Sequence, residues 1–164
     1  MPHSITALIV PGPYHADAAD KWDLLPVPLR CDLTMFHVTH YYTAYWQGLL
    51  RVTGHFELAP SARRLLFPTE NVIGVLAREL SAQLEPAFAL VVTDYFAGMG
   101  DQGAVVSIDG GPIRPVADIN DALRALGVTA AEGLDEFDTV GLGNHRSTPD
   151  YLDRYVDLCE EIGA

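Results

Sequence analysis

Residues 88–96 form a run dominated by aliphatic, aromatic and β-branched side chains, and residues 104–108 form a second. Between them three glycines, Gly98, Gly100 and Gly103, fall within six positions. Two strand-forming runs joined by a glycine-rich bend predict a β-hairpin over about 87–108. Such a hairpin places antiparallel pairing in the middle of the chain. It also demands an apolar cover, because two strands alone bury too little surface to be stable in water.

The rest of the chain supplies that cover. Residues 5–10 and 33–38 read as further strands, and 112–116 as a short edge strand. Four helices are expected. The first is capped by Thr39, carries Tyr41, Tyr45, Leu49 and Val52 near helical spacing, and stops at Gly54. The second opens at Pro68 and Thr69, bears the stripe Val72, Ile73, Val75, Leu76, Leu80 and Leu84, and ends before Pro86. The third spans 118–126, with Gly127 just past its end. The last starts at Thr148 and Pro149 and runs to about Glu161. Residues 16–28, with Pro26 and Pro28, read as irregular. Strands and helices do not alternate regularly, so the expected class is α+β: a single domain with a small, mainly antiparallel sheet packed against three to four helices. A chain of 164 residues, 49% hydrophobic, is long enough for one substantial core.

Charge limits the partners. The formal net charge is −12. Residues 1–84 hold seven acids and six bases, whereas residues 85–164 hold fifteen acids and four bases. Nucleic-acid binding is excluded as an expectation, since neutralising phosphates needs a basic patch. A basic protein is the partner such a field attracts. No membrane is expected, because the first apolar stretch, residues 7–10, ends at Pro11, well short of the ~20 residues of a span. Two distant cysteines, Cys31 and Cys159, suit a reducing, cytoplasmic setting better than a disulfide framework.

Gly98-Met99-Gly100-Asp101-Gln102-Gly103 matches G-x-G-x-x-G. A dinucleotide loop must lead into a helix, and this one leads into a strand. The segment with Val105 is similar to the phosphate-covering loop of protein kinases, but the lysine, H-R-D and D-F-G that such an enzyme needs are missing. What remains is a tight turn whose glycines permit positive φ, or a loop that brings backbone to a ligand through Gly98, Gly100 and Gln102 beside Tyr95.

Asp94 shares a strand face with Phe88, Leu90, Val92 and Phe96, so a carboxylate interrupts an apolar row. Buried there it is either paired or held with a raised pKa for acid–base work. His40 and His145 are the histidines set beside it as candidate catalytic groups. His37 and His40 form H-x-x-H, which on a strand sends the two rings to opposite faces. A metal would need His55, Asp94 or His145 as a third ligand, and no spacing matches a zinc signature, so neither metal nor other cofactor is expected. Tyr42 and Trp46, in the aromatic run 40–46, are candidates for an interaction surface or for core. Asp135, Glu136 and Asp138 around Phe137 read as a solvated acidic turn able to meet a basic partner.

Two functions follow as expectations. The leading one is a protein-binding domain of inhibitor or immunity type directed at a basic protein. The competing one is a small enzyme or ligand-binding domain whose site joins Asp94, the Gly98 to Gly103 loop and one or more of His37, His40 and His145.

Overall fold

The computed structural model describes residues 2–164. The strands are β1 (His3–Pro11), β2 (Pro26–Leu29), β3 (Leu33–His37), β4 (Phe88–Phe96), β5 (Met99–Ser107) and β6 (Arg114–Pro115). The helices are α1 (Ala16–Lys21), α2 (His40–Leu49), α3 (Val72–Leu80), α4 (Ile119–Ala125), α5 (Glu136–Val140) and α6 (Tyr155–Ile162). All six strands join one antiparallel sheet in the order β2-β3-β1-β4-β5-β6. The fold is α+β.

Side-chain alternation explains the layering. Along β1, Leu8 and Val10 point into a core shared with α1, α2, α3 and α6, while Ile5, Ala7 and Ile9 point into a second core shared with α4 and α5. In β4, Phe88, Leu90 and Val92 serve the first core and Ala89 and Val91 the second. Helices thus cover both faces of the sheet. Central strands buried on both sides read as unbroken apolar runs, even though such runs are more familiar from parallel sheets.

Three differences from the sequence reading have physical causes. First, α3 starts at Val72 and not at Thr69, because Thr69 and Glu70 pair with the 55–56 segment: Phe56 N–H donates to Thr69 O, and His55 bridges Glu70. Second, the same helix ends at Leu80, since Ser81 is extended and bridges Tyr14, and Ala82 N–H donates to Pro13 O. Leu84, expected on the apolar stripe, is therefore fully exposed. Third, residues 16–28 are ordered as α1 and β2. Pro26 and Pro28 are tolerated in β2 because it is an edge strand, where a missing N–H costs no ladder bond. The first predicted helix also stops at Leu49, well short of Gly54.

The acids of the second half are divided by the sheet. Asp118, Asp121, Asp135, Glu136 and Asp138 belong to the α4–α5 layer, and Asp153, Asp157, Glu160 and Glu161 to the α6 layer on the opposite face. The negative charge is not one patch. Among the described residues no helix is long and apolar enough to cross a membrane.

Candidate functional site

The β4–β5 hairpin closes with Ala97 and Gly98, both at positive φ (52° and 77°), which makes a two-residue type I′ turn between Phe96 and Met99. The other glycines have different duties. Gly100 lies directly opposite Tyr95 at φ 157°, where a Cβ would sit 1.9 Å from the Asp94 carbonyl oxygen. Gly103 lets Ala62, Leu65 and Phe67 lie against the strand. The G-x-G-x-x-G pattern thus serves a turn, a close strand approach and a packing contact.

Beside this turn, on the α4–α5 face, a cleft of about 370 Å³ opens. Its floor is the end of the sheet: His3 from β1, Thr93 and Tyr95 from β4, Gln102 from β5. Its walls are Asn120 of α4, Asp135, Phe137 and Asp138 around the start of α5, and Gly143 and Arg146 from the segment after it. The Ser4 N–H donates to Arg146 O (2.8 Å), so that last segment continues the sheet beside β1 where β3 has ended.

Hydrogen bonds fix this frame. Gln102 Nε2 donates to the Tyr95 hydroxyl (3.2 Å), while its Oε1 accepts the N–H of Ile119, the first residue of α4 (2.9 Å). One glutamine thereby ties the hairpin to a helix start, and the Tyr95 proton remains for a ligand. Asp135 caps α5 by accepting the Asp138 N–H (2.8 Å). Asn120 joins the two helices, donating to Asp135 Oδ2 (3.2 Å) and accepting the Phe137 N–H (2.9 Å). Arg124 adds a second clamp, donating to Glu136 Oε1 (3.0 Å) and to Asp121. The bonds to Asp121 and then Glu136 hold its guanidinium still more firmly protonated.

His3 was not signalled by any motif, although its place in the row His3, Ile5, Ala7, Ile9 puts it on the cleft face. Its Nε2 donates to Leu142 O (3.1 Å) and its Nδ1 accepts from the Thr93 hydroxyl (2.7 Å), whose oxygen accepts the Ile5 N–H (3.1 Å). The Phe137 ring lies 5.5 Å away. A hydroxyl that donates to the ring and accepts a backbone N–H in a buried position is a strut. Its proton is committed, and the pair forms the rigid floor of the cleft.

The cleft unites Tyr95, Gly98 and Gln102 with Asp135 and Asp138. The other expected residues lie elsewhere. Asp94 points to the opposite face and is exposed, so the premise of a buried catalytic carboxylate fails: the apolar row of β4 runs out at Val92, where the helical cover ends. Gly100 does not line the cleft. His40 sits at the start of α2, its Nδ1 3.8 Å from the buried Glu70, on the other side of the sheet from His37. His145 lies near His37, and among the described residues no three histidine, cysteine or acidic side chains are grouped to hold a metal. Tyr42 is fully buried, so it belongs to the core, while half-buried Trp46 packs against that core and meets Trp22 edge-on (ring centroids 4.9 Å). Glu136 is buried against Arg124, which removes it from the solvated acidic turn.

Burial, and next the charge of His145, pushes His37 down from 6.5 to about 4. The unfolded chain therefore binds a proton at pH values where the folded protein refuses it. The stability this confers is complete above the unfolded value and is lost as pH falls towards about 4. The expected loss between neutral pH and pH 4 is on the order of 2 kcal/mol. In urea titrations across this range His37→Gln should show a flatter stability–pH curve; an unchanged slope would remove His37 as its source.

No family model, curated protein or solved structure matches this chain.

Proposed function

We propose that this protein is a binding domain whose cleft takes a small polar molecule bearing an amino or other cationic group. One observation carries the reading: four separate stretches of chain converge on a single cleft with donors on its floor and, on its walls, the carboxylates of Asp135 and Asp138 together with Arg146. The Tyr95 hydroxyl and the remaining amide protons of Gln102 and Asn120 suit a ligand acceptor. Exposed Asp135 and Asp138 suit a cation, in a protein whose overall field already concentrates cations. The half-buried Phe137 ring offers an apolar wall. Binding without chemistry is favoured because the one hydroxyl–imidazole pair at the site is consumed by the fold.

A second reading has its own support. A lysine or arginine side chain is itself such a cationic group, so the exposed carboxylates at the cleft also suit a basic protein of the kind an inhibitor or immunity-type domain engages.

The test is a titration of isotope-labelled protein with amino acids, amino sugars and short polyamines, followed by nuclear magnetic resonance. Shifts should centre on Tyr95, Gln102, Asn120 and Phe137. Tyr95→Phe should weaken binding about 5- to 10-fold, the worth of one hydrogen bond. Shifts spread equally over the α6 carboxylates would mean nonspecific cation attraction and would end the proposal.

A further inference from the structure

The cleft carries charge of both signs, and the topology keeps the two signs apart. Its acidic end stands by β5. Gln102 Oε1 accepts the N–H of Ile119, the next residue Asn120 donates to Asp135, and Asp135 in turn accepts the N–H of Asp138. From there α5 runs away from β5 towards the far side of the sheet, where Arg30 N–H donates to Val140 O. The chain then turns back and lays residues 146 and 147 beside β1. Ser147 bridges Ser4, so alternation puts Arg146 on the face that carries His3 and its cross-strand partner Tyr95. That is the cleft face, and Arg146 lines the cleft there.

Three strand spacings, about 14 Å of backbone, separate β5 from the Arg146 segment, with β4 and β1 between them. Tyr95, Thr93 and His3 floor that interval, and the half-buried Phe137 ring stands over it. Asp138 is exposed and enters no ion pair among the described residues. Arg146 is exposed as well, and a guanidinium has five N–H donors in a planar fork, enough to grip a carboxylate besides any neighbour it already has. A ligand with a cation alone gains at Asp138 and loses at Arg146, and an anion alone does the reverse. A molecule with both charges set apart gains at both ends.

We propose that the ligand of this cleft is a small zwitterionic amino acid, with its ammonium at Asp138 and Asp135, its carboxylate on Arg146 and its carbon chain against Phe137. The inference rests on the cleft being the binding site argued above, and adds to it the second charge and the end at which that charge lies. α-Amino acids and longer ω-amino acids share this chemistry and differ in the distance between the two charges.

Nuclear magnetic resonance titrations of the full chain with four probes of equal carbon number test it: L-leucine, ε-aminocaproate, hexylamine and hexanoate. At least one zwitterion should bind about 10-fold or more tightly than either singly charged probe, the worth of a hydrogen-bonded charge. Leucine ahead of ε-aminocaproate assigns the α class, and the reverse order the ω class. Arg146→Gln should bring the preferred zwitterion down to the level of hexylamine. Arg146→Lys, which keeps the charge without the fork, should recover part of that loss. Hexylamine bound as tightly as both zwitterions would overturn the inference while leaving a cation-binding cleft. Hexanoate bound as tightly as both, or a zwitterion preference that survives Arg146→Gln, would overturn it too. Absence of cleft shifts with every amine would end the binding-site reading itself, and this inference with it.

Discussion

Gly100→Ala is expected to destabilise the protein by about 3 kcal/mol or more and to abolish the ligand binding proposed for the cleft. The added methyl would lie 1.9 Å from the Asp94 carbonyl oxygen, 2.7 Å from Tyr95 Cα and 2.8 Å from the Asp94 carbonyl carbon. All three are backbone atoms of the neighbouring strand, so no side chain can swing aside. The cause is the dihedral: at φ 157° a Cβ is aimed within the sheet towards β4 and not out of its plane. Relief requires β5 to move off β4 at the Tyr95–Gly100 pair, which carries Tyr95 away from Gln102 and loosens the link from Gln102 to α4. Gly98→Ala separates the effects, since a methyl there meets nothing within 4 Å and suffers only from φ +77°. It should cost about 1 to 2 kcal/mol, the penalty for a left-handed residue. Urea denaturation of both variants decides the matter. Equal losses at the two glycines would mean that close strand approach is not the reason for Gly100.

That contrast also separates what the sequence discloses at this loop from what it hides. The pattern of glycines between two apolar runs predicts a hairpin at 87–108, and β4 and β5 pair from Phe88–Ser107 to Phe96–Met99. It does not say which glycine serves φ and which serves contact, because contact depends on the neighbouring strand. Asp94 illustrates the same limit. Period-2 alternation correctly puts it in the row of Leu90 and Val92, but whether a position in that row is buried depends on how far the helices extend, and no local pattern encodes that distance.

The cleft was legible in part for a related reason. Tyr95, Gly98 and Gln102 lie within one hairpin, so local sequence reasoning finds them together. His3, Asn120 and Arg146 come from distant stretches and are joined by α5, a five-residue helix hidden in a segment that reads as an acidic turn. Its signal was present in Asp135 as an N-cap with Gly141 as a left-handed C-cap, but five residues are too few to show an apolar periodicity. Glu136 reads as solvated for want of its partner, since Arg124 is twelve residues away and on another helix.

The aromatic run of α2 yields the other large effect: Tyr42→Ala should cost about 4 kcal/mol. Thr39 caps this helix through the Tyr42 N–H (3.1 Å), as the sequence predicts, yet the buried positions are Tyr42 and Thr43, not the Tyr41, Tyr45, Leu49 stripe. One residue is 100° of helix rotation, and the phase is set by α3 and α6, between which α2 must fit. Tyr42 is fully buried, with the Tyr155 ring 4.8 Å away and its hydroxyl donating to Trp22 O (2.6 Å), so truncation opens a cavity where the helical layer meets the sheet. Tyr42→Phe keeps the ring and should cost only about 1 to 2 kcal/mol, the penalty for an unsatisfied buried carbonyl. The same burial, followed by the nearby Tyr155, drives the Tyr42 phenol far above its ordinary range. A raised folded value means stability that is intact below the unfolded pKa of about 10 and lost as pH climbs beyond it. Alkaline unfolding of the wild type should therefore be steeper than that of Tyr42→Phe. Equal steepness, with Tyr151 and Tyr155 left to account for all of it, would show that the Tyr42 hydroxyl is not held in the dry environment on which this packing depends.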